Sequence, residues 1–261
     1  MSPMFLLKPL CMNSAPDRPG KLPNALIRLL RIDLKPLRRL LLPWRCLLCS
    51  APGMEGMDLC APCAKDMPRN RSCCARCALP LPMAAAMCGQ CLRRAPPWDA
   101  AWAPFRYGWP LDRLETRFKF GDDLAAGRVL AALWRGEPAP VEVPALIVPV
   151  PLHRGRLRER GYNQALELAR PLAAAMHIPL GRDVLVRTRD TSAQTELDRI
   201  ARRRNVRGAF RLRTGSALPD HVVVLDDVMT TGATLAECTR LLKRAGVRRV
   251  DVWALARAPS H

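Results

Sequence analysis

The sequence predicts an α/β fold, a mainly parallel sheet flanked by helices and preceded by a small cysteine-rich module. Three observations carry this. From residue 101 onward, apolar runs of strand length alternate with stretches of helical periodicity. Nine of the 11 cysteines lie between Cys46 and Cys91. The 261 residues are 49% hydrophobic and 25% charged, the balance of an ordinary globular chain, and no run of 18 apolar residues predicts a transmembrane segment.

Residues 1–43 contain Pro, Arg and Leu without sustained periodicity, so they are expected to form a variable, partly disordered leader with one short amphipathic helix at 25–30. Residues 44–95 form the cysteine module. Pro96, Pro97 and Pro104 mark residues 95–104 as a linker or the entry to a second domain, 96–261. There the periodicity predicts helices over 111–120 and 124–134, with Gly121 between them. A buried strand is expected at 145–150, then a basic loop over 151–161. Ala165, Leu168, Ala169, Leu172 and Ala173 share one face of a helix over 163–176. A short strand at 184–186, a polar, Arg-rich stretch over 187–207 and an edge strand at 209–212 follow. A strand at 221–225, a helix at 234–245 and a strand at 250–255 complete the domain.

The cysteines pair as Cys46 with Cys49, Cys60 with Cys63, Cys74 with Cys77 and Cys88 with Cys91. Each half repeats the pattern C-x2-C-x10-C-x2-C. A C-x2-C turn aims two sulfurs at one tetrahedral ion, and four thiolates close a structural site. This predicts structural Zn2+, one or two ions, with no catalysis at a saturated metal. Pro52, Gly53 and Gly56 in one half, and Pro80 and Pro82 in the other, suit short hairpins between the pairs. Disulfides would need an oxidising compartment. Residues 1–20 lack the pattern of a secretory signal, so a cytoplasmic location is expected. Cys73 offers a shifted register beside Cys74, and Cys11 and Cys238 stand alone.

The formal charge is +19, and 36 of the 42 basic residues are arginine, since lysine occurs six times. Such a chain attracts phosphate-rich partners, nucleic acid among them. An arginine-heavy composition is also what a GC-rich genome produces.

The sharpest motif is the run from Val222 to Thr234. Apolar residues end in Asp226 and Asp227 at the carboxyl end of a strand, and Thr230, Thr231, Gly232, Ala233 and Thr234 then open a helix. Amides at a helix start, hydroxyls and a glycine make a phosphate cradle. Adjacent carboxylates beside it need a reason, which vicinal sugar hydroxyls or Mg2+ supply. Earlier, the strand end at 148–152 leads into Arg154, Arg156, Arg158 and Arg160, four guanidinium groups in seven residues.

These motifs, with Lys119, Phe120 and Gly121, the run Arg160, Gly161, Tyr162, Asn163 and Gln164, and Thr191 with Gln194, resemble the ComF/GntX-like family related to amidophosphoribosyltransferases. The likeness covers roughly residues 44–257 and implies a type I phosphoribosyltransferase-like domain behind a double zinc ribbon. It implies 5-phosphoribosyl 1-pyrophosphate (PRPP) with Mg2+ as ligand. Asp226 and Asp227 would take the ribose hydroxyls and residues 230–234 the 5-phosphate. Arg154, Arg158, Arg160, Asn163 and Gln164 would serve the pyrophosphate. Arg187, Gln194, Arg199 and Arg203 would belong to a mobile covering loop. The implied function is phosphoribosyl transfer with release of pyrophosphate, in the setting of DNA uptake and natural transformation. The alternative is a non-catalytic PRPP sensor or a factor binding single-stranded DNA; other DNA-uptake proteins are further expected partners. No general base is legible, His153 and His177 being weak candidates, and neither is the acceptor pocket, for which residues 98–134 are the available chain. Trp98, Trp102, Phe105, Tyr107 and Trp109 are expected mostly in the core, with a base-stacking platform as the alternative.

Overall fold

A computed structural model describes residues 43–190, 206–213, 215 and 217–259. The predicted leader with its helix and Cys11, and Thr191, Gln194, Arg199 and Arg203, lie outside the described residues.

The sequence repeat of the cysteine module is also a structural repeat. In each half the first C-x2-C forms a knuckle closed by a backbone bond across it: Ser50 N–H donates to Cys46 O at 2.8 Å, and Ala78 N–H to Cys74 O at 2.7 Å. The residue after each knuckle turns through the left-handed region, Ser50 at φ 63° and Ala78 at φ 53°. The second pair of each half sits at the start of a short helix, α1 (Ala61–Lys65) or α2 (Gly89–Arg93), with its first cysteine at the N-cap and its second inside the helix. Short antiparallel bridges, Arg45 to Pro52 and Cys73 to Pro80, close the first knuckle of each half, and the expected hairpin between knuckles is seen in the first insert, where Met54 bridges Met57.

The sheet is built from β1 (Ala101–Trp102), β2 (Phe105–Arg106), β3 (Leu146–Pro149), β6 (His221–Met229) and β7 (Arg249–Arg257). Its order is β1-β7-β6-β3, with β2 also on β7, and every pairing is parallel. The β-branched run Val222, Val223 and Val224 is fully buried, as a strand covered on both faces requires. β4 (Leu185–Arg187) and β5 (Phe210–Leu212) form a separate antiparallel pair. Among the described residues five further helices, α3 (Leu111–Phe120), α4 (Leu124–Arg135), α5 (Arg154–Arg160), α6 (Gln164–Met176) and α7 (Ala233–Arg244), connect and flank the strands.

Direction of winding positions the site. From β3 the chain passes through α6 to residues 178–181, which pair in parallel on the outer edge of β3: Ile147 N–H donates to Pro179 O at 3.0 Å and Gly181 N–H to Ile147 O at 2.8 Å. From β6 it passes through α7 to β7 on the opposite side. Winding therefore reverses between β3 and β6, and the carboxyl ends of these neighbours bound the crevice where open parallel sheets take ligands.

Three expectations are corrected. Residues 151–161 are not a loop throughout: Arg154–Arg160 is helical, because His153 accepts the Gly155 N–H at 3.3 Å and Gly161 ends the turn at φ 73°. Of the two readings of residues 95–104, domain entry holds and linker does not. Trp98 is buried, Asp99 pairs with Lys243 at 2.6 Å, and β1 starts at Ala101. The strand at 210–212 edges no main sheet but pairs with β4 alone. β1 and β2 escaped notice because two residues are too few to show alternation.

Candidate functional site

The two predicted cysteine sets do gather. The sulfurs of Cys46, Cys49, Cys60 and Cys63 lie within 4.8 Å of one another, as do those of Cys74, Cys77, Cys88 and Cys91. Individual Sγ–Sγ distances are 3.6 Å for Cys49 and Cys60, 3.7 Å for Cys77 and Cys88 and 4.0 Å for Cys74 and Cys91. A tetrahedron with Zn–S bonds of about 2.3 Å has edges of about 3.8 Å, so both donor sets fit one Zn2+ each. Four bare thiols so close cannot all ionise. Burial and the neighbouring thiols push Cys91 upward, whereas at Cys88 burial is opposed by backbone amides together with hydrogen bonds from the Cys91 and Cys77 thiols, which bring it down to about 7. A divalent cation resolves this conflict. Cys73 is outside the second set, and Cys238 is buried in α7.

The acidic pair sits inside the long strand β6, at its carboxyl end. Asp227 Oδ2 lies 2.8 Å from Lys119 Nζ, which also stands 3.7 Å from the buried Glu115 one turn earlier on α3. Tyr162 fixes this end of α3: its hydroxyl donates to Phe118 O and its ring stacks on Phe118, centroids 5.4 Å apart. Burial pushes Glu115 up to about 7, with the charge of Asp227 adding to it. Burial first, and Asp227 second, push Asp226 up to about 8. Lys119 is shifted upward although burial opposes its charge, because Asp227 and Glu115 surround it. Three carboxyl groups thus share one ammonium, and at neutral pH they are not all ionised.

This has a consequence for stability. Native Asp226 keeps its proton to about pH 8, whereas an unfolded aspartate loses it near pH 3.8. Between these values unfolding releases a proton, so the contribution of Asp226 to stability falls as pH rises from about 4 to about 8. Asp226→Asn lacks this term. Denaturant melts at pH 5 and pH 8.5 are expected to show the variant gaining on the native protein at the higher pH; parallel behaviour would refute the shift.

The loop from Thr230 to Thr234 leaves β6 directly. Gly232, at φ 70°, is the N-cap of α7, and a Cβ placed there would lie 2.7 Å from the Trp98 ring, so glycine is required twice over. Thr231 Oγ1 accepts the Ala233 N–H at 3.3 Å, and the first turn of this twelve-residue helix has no capping side chain from Gly232. Its amides and positive dipole end face the carboxyl side of the sheet beside the acidic pair.

The other predicted residues divide. Arg154 and Arg158 are exposed on α5. Arg160 lies over the Phe120 ring at 5.3 Å. Asn163 caps α6 by accepting the Leu166 N–H at 3.4 Å, and its amide donates to Val150 O at 3.0 Å, tying α6 to the end of β3. Gln164 is buried, and its Nε2 meets no hydrogen-bond partner among the described residues. Arg187 is half-buried over the Phe210 ring at 5.4 Å, and desolvation and the Arg156 charge push it downward while Asp226 opposes this. It therefore belongs to the electrostatic neighbourhood of the acidic pair. Of the aromatic residues, Trp98 and Phe105 are buried and Trp102 packs on Trp134 and Trp253; Tyr107 and Trp109 are exposed.

Behind the loop runs a groove of about 440 Å³ along α7, lined by Arg94, Arg207, Arg240 and Arg244, with Trp98 and Thr231 among its other walls. Glu237 offsets one of these charges by pairing with Arg240 at 3.2 Å. Reading the sequence missed this groove, the buried Glu115 and the buried Arg257. Only Glu115 left a signal, its four-residue spacing from Lys119.

Comparison with known proteins agrees with this architecture. Residues 37–92 match the double zinc ribbon domain and residues 163–261 the phosphoribosyl transferase domain. The chain is 35% identical over 228 residues to DNA utilization protein YhgH of Escherichia coli O157:H7, covering 84% of this chain and 99% of that protein. It is 37% identical over 175 residues to competence protein F of Haemophilus influenzae, covering 64% of this chain and 76% of that one. To competence protein ComFC of Streptococcus pneumoniae it is 27% identical over 155 residues, 59% of this chain and 67% of the relative. Among the described residues no helix is long and apolar enough to cross a membrane. With a double zinc ribbon leading into a phosphoribosyltransferase-fold sheet, the chain belongs to the family of DNA utilization protein YhgH and competence protein F.

Proposed function

We propose that the protein binds PRPP with Mg2+ in the crevice between β3 and β6 and transfers the phosphoribosyl group to an acceptor, releasing pyrophosphate. One observation carries the reading: the Asp226–Asp227 pair runs without interruption into the Thr230–Thr234 loop at the start of α7. In this reading the ribose 2- and 3-hydroxyls bond to the two carboxyl groups, and Lys119 keeps Asp227 oriented. The 5-phosphate takes the loop amides. Mg2+, held mainly by phosphate oxygens and waters, would neutralise the leaving pyrophosphate. Two adjacent carboxyl groups suit such an ion, which needs few protein ligands. Pyrophosphate leaves C1 with the bonding pair ahead of bond formation by the acceptor, which leaves positive charge on the sugar, and the carboxyl cluster is placed to stabilise it. The arginines of α5, with Arg187 and the segment containing Gln194, Arg199 and Arg203, would hold pyrophosphate and exclude water. The two zinc sites are structural. A reducing cytoplasm is the setting that suits ten cysteines free of disulfides among the described residues.

Titration calorimetry with PRPP tests this. One saturable site that requires Mg2+ and is competed by ribose 5-phosphate is expected; absence of binding contradicts the reading. Pyrophosphate release against a panel of acceptors then separates a transferase from a sensor.

A second reading is favoured by the arginine groove and by the names of the relatives: a single DNA strand along α7, in a DNA-uptake role with other uptake proteins. Four phosphate contacts there should give a log–log salt slope of about −3. A slope near zero, or one unchanged by Arg94→Ala with Arg244→Ala, would dismiss it.

A further inference from the structure

The two cysteine clusters repeat each other in sequence but not in their connections to the rest of the molecule. The difference lies in the carbonyls of the knuckles. In the second knuckle, four consecutive carbonyls each accept a hydrogen bond from a separate group. Ala75 O takes the Ala101 N–H at 3.1 Å, from the start of β1. Arg76 O takes the indole N–H of Trp98 at 2.6 Å. Cys77 O takes Nε of Arg257 at 3.1 Å, and Ala78 O takes the side-chain amide of Asn70 at 2.8 Å. The Arg76 guanidinium returns the contact, donating to Asp99 O at 2.6 Å and Pro96 O at 3.2 Å on either side of Trp98.

Two of these groups reach the phosphate-type loop. Arg257, only 5% exposed at the end of β7, donates through Nη1 to Met229 O at 3.0 Å and Thr230 O at 2.6 Å, the junction of β6 and the loop. Trp98, 4% exposed, places its ring against Gly232 at the turn of the loop. One side chain thus holds the start of the loop and the other its apex, and both are anchored on carbonyls between Cys74 and Cys77. A buried guanidinium is tolerated only while its acceptors stay in place, so Arg257 is sensitive to the knuckle's geometry. The matching carbonyls of the first knuckle lead elsewhere. Leu47 O meets the exposed Arg117 at 2.7 Å, and Ser50 O meets Arg45 of the same module at 3.4 Å.

We propose that Trp98 and Arg257 are positioning residues that couple the second four-cysteine site to the Thr230–Thr234 loop, so that metal in this site, and not in the first, sets the order of the loop. Loss of the ion lets the Cys74–Cys77 turn open, the four carbonyls lose their common orientation, and the loop loses both supports. That the ordered loop then receives a sugar phosphate rests on the function proposed above; the ordering itself does not.

Amide hydrogen exchange of the full-length, zinc-loaded protein without ligand tests the coupling. Cys91→Ser is expected to speed exchange across residues 229–234 about tenfold, while Cys63→Ser leaves that segment as it is. Trp98→Phe removes the indole N–H to Arg76 O and, because a phenyl ring is shorter, the outer ring edge that lies against Gly232. With both zinc ions still present by native mass spectrometry, it should also speed exchange of the loop, and by more than that of the β6–β7 ladder. If Cys91→Ser does not fold, Trp98→Phe decides alone. Equal response of the loop to Cys63→Ser and Cys91→Ser, or unchanged exchange in Trp98→Phe, overturns the proposal. Because no ligand is present, a protein that fails to bind PRPP can still pass this test, and one that binds it can fail.

Discussion

Asp227→Asn is expected to weaken binding of Mg2+–PRPP at least about 100-fold, from loss of charge-assisted bonds to a sugar hydroxyl and of the field that Mg2+ and an oxocarbenium-like sugar require. The fold should survive. Asp227 is bound to Lys119 at 2.8 Å, but Glu115 stands 3.7 Å from the same ammonium. Removing the Asp227 charge removes one of the two influences that hold Glu115 protonated, so Glu115 ionises and takes over as the partner of Lys119. The cost in stability is therefore about 1–2 kcal/mol, below that of a buried charge left alone. Calorimetry gives the affinity and circular dichroism the fold. Unchanged affinity in a folded variant would remove the acidic pair from the site.

Stripping zinc should have the larger effect on stability. Structural zinc sites contribute on the order of 10 kcal/mol each at neutral pH, and two are present in sequence and geometry. The core around them is thin: Leu59, Met67 and Ala78 are among the few buried apolar side chains of residues 44–95 that are not cysteine. Chelation is expected to unfold this module, measured as a fall of more than about 10 °C in melting temperature and loss of the protected amides of the two knuckles. Zinc restored at one ion per cluster should reverse both. Protein that keeps its melting temperature after verified removal of zinc would show that the cysteine clusters are packed without need of metal.

How far the sequence could be read follows from the range of each interaction. The cysteine repeat was legible because a metal site fixes ligand identity and spacing over a few residues. The strand, acidic pair and loop of residues 222–234 were legible because they are contiguous and the glycine and threonines have fixed offsets. Arg257 left no such trace. Its role depends on carbonyls at Cys77, Met229 and Thr230, brought together by the parallel pairing of β6 with β7 and by docking of the second knuckle. Trp98 was expected in the core, but its seat against the loop was not legible, because the glycine it covers is distant in sequence. Helix α5 was missed because repeated arginines suggest a solvated loop, whereas a local His153 cap and a left-handed Gly161 were enough for two turns. The strand β6 proved longer than its apolar run, since Asp226 and Val228 continue to pair with β7. Polarity ended the pattern there before the hydrogen-bonded ladder ended.

The most direct measurement of the central claim is a crystal structure of the zinc-loaded protein grown with PRPP and Mg2+. The account predicts the ribose hydroxyls on Asp226 and Asp227, the 5-phosphate on the amides of residues 231–234, and Lys119 still on Asp227. Density for the compound elsewhere, or a crevice between β3 and β6 that stays empty at saturating concentration, would contradict it.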